Sequence, residues 1–368
     1  MTDHGSTRAA LDPHRLDAAF DLVAHQVASG EVGVAGVAVA RGDGPVRSVT
    51  VGPDGQTFEH RFLVASITKP ITATAILQLV EDGRVDLDRP LAADLPGFRP
   101  PPAVPGQPGG ESITPWHILT HTSGLQDGGE ELVVATRPTA AELIRRVSTQ
   151  PLLFPPGTAF HYASDSFYLL AELAARAGGR PFTELLRERI FRPLAMDATT
   201  FDPFDPSEGG PEPFPLGGLF ERYGPLRAEA TRYFVSLGMP GGGLWSTTSD
   251  LVRFGRAMLG GGALDGARIL RDDSVGFMTR EHTGNVLEAG TPPRQPHHGL
   301  GWALPGREPG SPASAGAYGH GGATASRLIV DPAWDLVVVY LRNEWGGDTA
   351  PTDALVDAVY AALDRPAS

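Results

Sequence analysis

The sequence predicts an α+β protein, an α/β sandwich in which an antiparallel sheet is flanked by N- and C-terminal helices and carries an inserted, mostly helical subdomain. Strand-like alternation of apolar and polar residues is found at both ends of the chain, whereas the middle contains amphipathic helical patterns joined by loops rich in proline and glycine. A chain of 368 residues also exceeds what one hydrophobic core usually serves. We therefore expect an α/β subdomain from residues 1–84 and 296–368, and a helical subdomain with loops from residues 85–295.

The N-terminal part reads as helix, strand, strand, helix. A helical pattern in "LDAAFDLVAHQVASG" ends at Gly30 and is followed by two alternating segments, "VGVAGVAVAR" and "VRSVTVG". A second helix is predicted from Ser66 to Glu81, with Pro70 in its first turn, where a missing N–H costs little. This placement predicts that Ser66 and Lys69 project from one side of a helix N-terminus.

The rest of the chain follows the same division. Amphipathic helices are predicted in "RPTAAELIRRVSTQ", "SFYLLAELAARAGG", "PFTELLRERIFRPL" and "SDLVRFGRAMLGGG". Strands are predicted in "HHGLGWAL", "AGAYGHGG", "ASRLIVDP" and "DLVVVYLR", and a last helix in "TDALVDAVYAALDR". Strands at both chain ends indicate one sheet with a helical insertion.

Composition excludes several classes of function. A net charge of −13 argues against a nucleic-acid surface, and no apolar run approaches the roughly 18 residues of a membrane span. The N-terminus lacks the pattern of a secretory signal, so we expect a cytoplasmic protein. Without any cysteine, the chain offers no disulfide, no thiolate metal ligand and no cysteine nucleophile.

Lys69 is the only lysine in a chain that contains 30 lysine and arginine residues in total. Arginine stays protonated in proteins, whereas a lysine amine can lose its proton when it is desolvated. Of these two cationic side chains, only lysine can therefore act as a base. Ser66 and Lys69 form an S-x-x-K motif, which brings a hydroxyl and an amine together across one helical turn. The non-catalytic alternative is a lysine whose aliphatic stem packs on a helix surface.

Two further segments carry candidate side chains. Tyr162 lies in a loop that leads into a helix, where its phenol could move a proton between Ser66, Lys69 and a leaving group. The alternative is a half-buried tyrosine with one hydrogen bond. In "YGHGGATASRLIVDP", His320 and two glycines stand beside a predicted strand, where absent side chains would admit a substrate or simply mark a bulge.

Metal and nucleotide sites are less well supported. His117 and His121 lie four residues apart in "PWHILTH", but neither a third ligand nor an H-E-x-x-H glutamate accompanies them, so His121 is interpreted as structural support. "PGGGLW" lacks the lysine of a phosphate-binding loop and is expected to pack near the active site. No G-x-S-x-G elbow surrounds Ser66. We predict no metal and no cofactor.

In order and spacing, these motifs resemble the serine β-lactamase and penicillin-binding superfamily, especially its class C, D-aminopeptidase and family VIII esterase branch. The resemblance extends from about residue 15 to 362. Besides Ser66-x-x-Lys69, it is carried by "HILTHTSGL", "FPPGTAFHYAS", "IFRPLAMDATTF", "GGGLWSTTSDLVRF", "GLGW" and "YGHGGATASRLIVDP". It implies a β-lactamase/transpeptidase-like fold.

The resemblance also implies roles for individual residues. Ser66 would be the acylated nucleophile, Lys69 its neutral-amine partner, and Tyr162 the first residue of the family's Y-x-N element. The backbone N–H groups of Ser66 and Ala323 would form the oxyanion hole. Substrate would be bound by Ser164 and by the segment that takes the place of the family's K-T-G motif, namely His320, Gly321 and Gly322.

Two departures from the family pattern favour esters over lactams and peptides. The Y-x-N element reads Tyr162-Ala163-Ser164, so a hydroxyl replaces the amide that would hold a substrate amide and orient the lysine. His320 replaces a lysine and would be a weaker, pH-dependent anchor for a substrate carboxylate. We therefore expect a serine hydrolase of small esters, with slow turnover of β-lactams or D-amino acid amides still open.

Two other functions remain open at this point. An acyltransferase or peptide cyclase would pass the acyl group to an amine or alcohol instead of water, and a penicillin-binding or regulatory module would turn over nothing. In each case the expected partner is a small acyl compound. The sequence does not predict the oligomeric state.

Overall fold

The computed structural model describes residues 11–52, 55, 59–128, 136–290 and 292–364. Its centre is a five-stranded antiparallel sheet whose strands follow the order β2-β1-β10-β9-β8. The strands are β1 (Ala35–Arg41), β2 (Arg47–Val51), β8 (Tyr318–Gly321), β9 (Arg327–Asp331) and β10 (Leu336–Arg342). The prediction of one antiparallel sheet built from both chain ends is therefore confirmed.

The central pairing joins the two ends of the chain. β1 runs antiparallel to β10 in a register that places Ala35 opposite Arg342 and Arg41 opposite Leu336. All seven residues of β10 are buried, as expected for a central strand with both faces covered. Residues about 300 positions apart thus form the platform beside which Ser66 lies.

Helices cover both faces of the sheet. On one face, α1 (Pro13–Ala28) and α10 (Ala350–Ala361) pack against each other and bury an apolar cluster with the strands. On the other face lies α8 (Thr248–Leu259), whose Gly255 permits close approach, since a Cβ there would stand 2.6 Å from Val337. Although α8 falls within residues 85–295, it belongs to this sandwich, and the division into two subdomains stays a prediction.

The remaining helices include α2, which directly follows the Ser66 segment. Helix α2 packs on two of them, the helices that begin at Phe167 and Phe182. Their bounds are α2 (Thr68–Glu81), α3 (Pro115–Leu119), α4 (Ala140–Thr149), α5 (Phe167–Gly178), α6 (Phe182–Leu186), α7 (Arg227–Ser236) and α9 (Asp272–Thr279). Three two-residue ladders pair β3 (Phe62–Leu63) with β5 (Trp245–Ser246), β4 (Gly217–Gly218) with β11 (Glu344–Trp345), and β6 (Ala263–Leu264) with β7 (Ala267–Arg268).

One prediction about secondary structure is wrong, and one predicted helix differs locally from a regular α-helix. "HHGLGWAL" is not a strand but a loop with isolated bridges, because Gly299 packs where a Cβ would lie 2.3 Å from the Met278 carbonyl, and Gly301 has a φ of 72°. The helix predicted in "PFTELLRERIFRPL" changes after α6 into a π-helical turn, Arg187–Phe191. In the "HHGLGWAL" loop, tertiary packing overrides the local pattern.

The described helices include none that is both long enough and apolar enough to cross a membrane.

Candidate active site

Ser66 lies in a short 3₁₀ turn, Ala65–Ile67, that runs directly into α2. Ala65 has a φ of 47°, a left-handed conformation that is uncommon for a residue with a side chain and that clusters at functional sites. The turn packs closely against the end of β8, since a Cβ at Gly322 would stand 2.6 Å from the Val64 carbonyl oxygen. The absent side chain at Gly322 therefore makes room for the protein's own turn.

Lys69 is fully buried, and its amine contacts three oxygen atoms. The Nζ atom lies 3.1 Å from Ser66 Oγ, 3.0 Å from Ser164 Oγ and 2.7 Å from the Gly241 carbonyl oxygen. The amine also lies 4.6 Å from the centroid of the Tyr162 ring. The predicted proximity of the Ser66 hydroxyl and the Lys69 amine is thus present in the structure.

These three contacts are compatible with both protonation states of the amine. An ammonium donates to all three oxygens, whereas a neutral amine donates two hydrogens and keeps one lone pair. The Gly241 carbonyl can only accept, and the Ser164 hydroxyl is free to accept. When Ser164 accepts, the lone pair of the neutral amine is directed to the Ser66 hydroxyl, as proton abstraction requires.

The glycine-rich loop of "PGGGLW" contacts the Lys69 amine through the Gly241 carbonyl. Thr72 Oγ1 in α2 donates to the Pro240 carbonyl at 2.6 Å, which fixes the loop one residue before Gly241. A Cβ at Gly241 would stand 2.9 Å from the Ser164 carbonyl oxygen and 3.4 Å from Lys69 Nζ. The expectation that this loop packs near the active site is confirmed.

Tyr162 is held in place by His121. The two rings stack with centroids 4.4 Å apart, the N–H of Ala163 donates to His121 Nδ1 at 3.2 Å, and the N–H of His161 donates to the His121 carbonyl at 2.9 Å. His121 thus forms hydrogen bonds with the backbone on both sides of Tyr162. Within the described residues, the Tyr162 hydroxyl has no hydrogen-bond partner, and the side chain lines the cavity in front of Ser66.

Ser164 completes the same segment. Its backbone N–H donates to Asp127 Oδ2 at 3.0 Å, and the next N–H, of Asp165, donates to Asp127 Oδ1 at 3.3 Å. Asp127 therefore orients the loop that carries Ser164 toward Lys69. Sequence reasoning missed Asp127, which stands six residues after His121 and belongs to no recognisable motif.

Among the described residues, the two backbone N–H groups predicted to form the oxyanion hole are unpaired and belong to residues that line one cavity. In the part of the chain that the structure describes, neither the N–H of Ser66 nor that of Ala323 has a hydrogen-bond acceptor, and both residues line the cavity. The Ala323 carbonyl accepts from the Gly346 N–H at 2.7 Å, which anchors this segment to the chain after β11. Two free donors at one cavity suit a carbonyl oxygen that gains negative charge.

His320 does not have the predicted role. Its side chain is 6% exposed, its Nδ1 donates to the Gly321 carbonyl at 2.7 Å, and neither residue lines the cavity. Burial, followed by the positive charge of Lys69, lowers the pKa of His320 to about 3. The expectation of a pH-dependent cation for a substrate carboxylate is therefore wrong, because the ring is buried and neutral at pH 7.

His117 and His121, the two histidines considered as metal ligands, do not lie on a common helix face. Helix α3 ends at Leu119 and His121 has a φ of 56°, so the pair does not share a helix face. His117 Nδ1 instead lies 2.9 Å from the Thr114 hydroxyl at the helix N-terminus. Across the described ranges, no three histidine, cysteine, aspartate or glutamate side chains are placed to hold a metal ion.

His298 is a neighbour of the site that sequence reasoning missed. Its ring centroid lies 5.7 Å from that of His121 and 6.5 Å from that of His320. Burial, and then the charge of Lys69, lowers the pKa of His298 to about 4. No local pattern marks this residue, because the loop of "HHGLGW" brings it to the site only through tertiary packing.

Stability should depend on pH through His298. Its pKa is about 4 in the folded state against 6.5 for an ordinary histidine, so the unfolded chain binds the proton more tightly and the folded state loses stability as pH falls below 6.5. The loss is on the order of 3 kcal/mol once pH approaches the folded value. A His298→Gln variant lacks this loss, so its Tm deficit relative to wild type should shrink between pH 7.5 and 4.5.

The comparison with the variant is necessary because other groups titrate in the same range. Burial raises the pKa of Asp165 and of Asp250 to about 6, which adds stability as pH falls through that value. Both carboxyls are present in wild type and variant, and their effects cancel in the difference. A Tm deficit that stays constant across the pH range would contradict the assignment of a neutral His298.

Removing the Tyr162 hydroxyl should slow turnover strongly. Tyr162→Phe keeps the stacking on His121 and the ring beside Lys69, so the expected fall of about 10²–10⁴-fold in kcat reports proton transfer alone. The measurement is hydrolysis of a p-nitrophenyl short-chain ester, with Tm as the control for folding. A near-wild-type rate would remove Tyr162 from the mechanism.

The antiparallel sheet between helical layers, with an S-x-x-K segment at the start of a buried helix, defines the β-lactamase/transpeptidase-like fold class. The β-lactamase family model matches residues 19–362, and the chain belongs to that family.

Known relatives within this family have different activities. Esterase EstB of Burkholderia gladioli is 29% identical, over 96% of this chain and 100% of the esterase. D-alanyl-D-alanine-carboxypeptidase/endopeptidase AmpH of Escherichia coli (strain K12) is 28% identical, over 73% of this chain and 67% of that protein. The solved structure of a family VIII carboxylesterase superposes with a TM-score of 0.75 at 20% identity, covering 96% of this chain and 99% of its own. At that identity the structural likeness supports the fold.

Proposed function

We propose that the protein is a serine hydrolase that cleaves small, uncharged esters through an acyl-enzyme. The observation that carries the proposal is the 3.1 Å contact between Lys69 Nζ and Ser66 Oγ, made by an amine whose other two contacts are to oxygens. In this arrangement a neutral amine can donate to Ser164 and to the Gly241 carbonyl while its lone pair accepts the proton of the attacking hydroxyl.

Acylation then proceeds with every proton accounted for. Ser66 Oγ forms a bond to the ester carbonyl carbon as its proton passes to the Lys69 lone pair, and the carbonyl oxygen takes negative charge between the N–H groups of Ser66 and Ala323. The carbon–oxygen bond to the alcohol breaks. The departing alkoxide receives its proton through the Tyr162 hydroxyl, which Lys69 resupplies.

Deacylation repeats these steps with water. Water attacks the acyl carbon and gives a proton to the Tyr162 and Lys69 relay, the bond to Ser66 Oγ breaks, and Oγ regains its proton. The acid is released and the enzyme returns to its starting state. A good acceptor alcohol or amine in place of water would give acyl transfer.

Esters are favoured over β-lactams and peptides for two structural reasons. Position 164 carries a hydroxyl, not an amide, and this hydroxyl already contacts Lys69 Nζ at 3.0 Å. No side-chain amide is therefore offered to a substrate amide at this position. His320 is buried and neutral, so it gives a substrate carboxylate no charge. The relation to an esterase over its full length adds support, whereas the relation to a D-alanyl-D-alanine-carboxypeptidase keeps amides in the test.

The test is intact mass spectrometry together with product analysis. Incubation with a p-nitrophenyl short-chain ester should give a burst of p-nitrophenol, a transient mass increase equal to the acyl group, and steady release of the acid. A D-alanyl amide and a penicillin, at equal concentration, should react at least about 10²-fold more slowly, since each leaves polar groups unpaired. No adduct with the ester or with a fluorophosphonate would contradict an enzymatic role.

A further inference from the structure

A cavity of about 370 Å³ opens in front of Ser66, and its far walls are aromatic. The aromatic side chains there are Phe220, Tyr223, Tyr233, Phe234 and Trp345, and the apolar Met239 lines the same cavity. The rings of Phe220, Phe234 and Trp345 contact one another edge to face, with centroids 5.2 to 6.0 Å apart. The volume falls within the range of about 300–1,000 Å³ that is typical of ligand pockets and far exceeds what an acetyl group fills.

The charged side chains at this cavity already have partners in the protein. Arg137 pairs with Glu229 at 3.2 Å. The Asp127 oxygens accept the N–H groups of Ser164 and Asp165, and Asp165 accepts the N–H of Gly128 at 2.9 Å. An anionic group that entered the cavity would lose its hydration without gaining a free cation among the described residues.

The aromatic walls adjoin the oxyanion side of the site. Ala65, directly before Ser66, belongs to the same buried cluster as Phe220, Phe234 and Trp345, and Ala323 packs against it. Tyr162, the proposed proton donor to the leaving alcohol, instead contacts His121 and the Lys69 amine. With the carbonyl oxygen between the N–H groups of Ser66 and Ala323, the leaving group faces Tyr162 and the acyl group is left with the aromatic cavity.

We propose that the acyl group accepted by Ser66 is large, uncharged and apolar, of the aryl-alkanoyl or medium-chain class. The aromatic cavity binds this acyl group. This inference rests on the proposed ester hydrolysis. Acetyl and other minimal acyl groups are then poor substrates. They leave most of the cavity unfilled and gain little from its apolar surface.

The first experiment varies the acyl group while the leaving group stays constant. The p-nitrophenyl esters of acetate, butyrate, octanoate and phenylacetate are compared by kcat/KM, with the hemisuccinate as the charged counterpart of the butyrate. We expect phenylacetate or octanoate to exceed acetate by at least about tenfold, and the hemisuccinate to fall at least about tenfold below the butyrate. Acetate hydrolysis as fast as that of the larger esters would overturn the inference.

The second experiment fills the cavity from one position. Ala230 on α7 is 4% exposed and lines the cavity, so Ala230→Trp should reduce kcat/KM for phenylacetate at least about tenfold while leaving acetate within about threefold. Ala230→Leu is the milder variant if tryptophan prevents folding. The matched control is Ala228→Trp, on the exposed side of the same helix, which should leave both esters unchanged.

A third comparison separates the acyl side from the alcohol side. Ethyl, hexyl and benzyl acetates, measured by acid release, keep the acyl group constant, and Ala230→Trp should not change their relative rates. If the variant instead discriminates among these alcohols and not among the acyl groups, the cavity binds the leaving group and the assignment is wrong. Failure of every ester together with absent labelling by a fluorophosphonate would instead refute the proposed function itself.

Discussion

Ser66→Ala should reduce kcat/KM for a p-nitrophenyl ester by at least about 10⁴-fold, because the variant lacks the hydroxyl proposed as the nucleophile. The substitution removes one partly exposed oxygen, whose hydrogen bond in the described structure is to Lys69 Nζ. Lys69 keeps its contacts with Ser164 and Gly241, so the fold should survive. The measurement is initial-rate kinetics with Tm as the folding control.

Labelling makes this prediction specific to the residue. Fluorophosphonate should add once to the wild-type chain, on the peptide that contains Ser66, and should not add to Ser66→Ala. A matched control is Ser249→Ala, at the start of α8, which should be labelled like the wild type. An adduct on another serine, or an active Ser66→Ala variant, would place the nucleophile elsewhere.

Lys69→Arg should abolish turnover to a similar degree, although it keeps a positive charge. A guanidinium stays protonated, so it cannot accept the Ser66 proton. Lys69 is 0% exposed, however, and the larger guanidinium of arginine could disturb the fold of this closed site. Lys69→Met, with an unbranched side chain, therefore serves as a second variant. Loss of kcat/KM in both variants, at least about 10³-fold, is expected from kinetics on folded protein.

The two variants separate charge from chemistry. If Lys69→Arg were as active as wild type, a fixed positive charge beside Ser66 would suffice. If Lys69→Met were active, the amine would have no part in the reaction. Either result would contradict the base role, whereas the conservative Arg89→Lys variant, at an exposed ion pair with Asp94, should leave kinetics unchanged.

The sequence predicted those parts of the fold that depend on local periodicity. The alternating segments that became β1 and β10 are short and strongly apolar, and pairing them across the chain explained why strands occur at both ends. The S-x-x-K spacing predicted the contact between Ser66 and Lys69 because helical geometry alone brings the two side chains together.

Features that depend on tertiary packing could not be predicted. Nothing local to His320 shows that its ring turns inward and donates to the Gly321 carbonyl instead of facing the substrate. His298 reaches the site through a loop that resembles a strand in sequence. The aromatic cavity likewise unites residues from the segment around α7 with Trp345, more than a hundred positions further on, so only the folded chain reveals it.

The central claim is that a buried primary amine beside Ser66 accepts its proton, and restoring that amine chemically tests it most directly. Because the chain has no cysteine, Lys69→Cys carries the only thiol, which 2-bromoethylamine converts in the denatured chain to an aminoethyl thioether with an amine at nearly the position of Nζ. Wild type passes through the same treatment and refolding. Iodoacetamide gives the matched amide, which cannot act as a base.

After refolding, the aminoethylated protein should regain at least about 10²-fold in kcat/KM over unmodified Lys69→Cys, and the amide adduct should regain nothing. Equal activity of the two adducts, or an unmodified Lys69→Cys variant as active as wild type, would contradict the account.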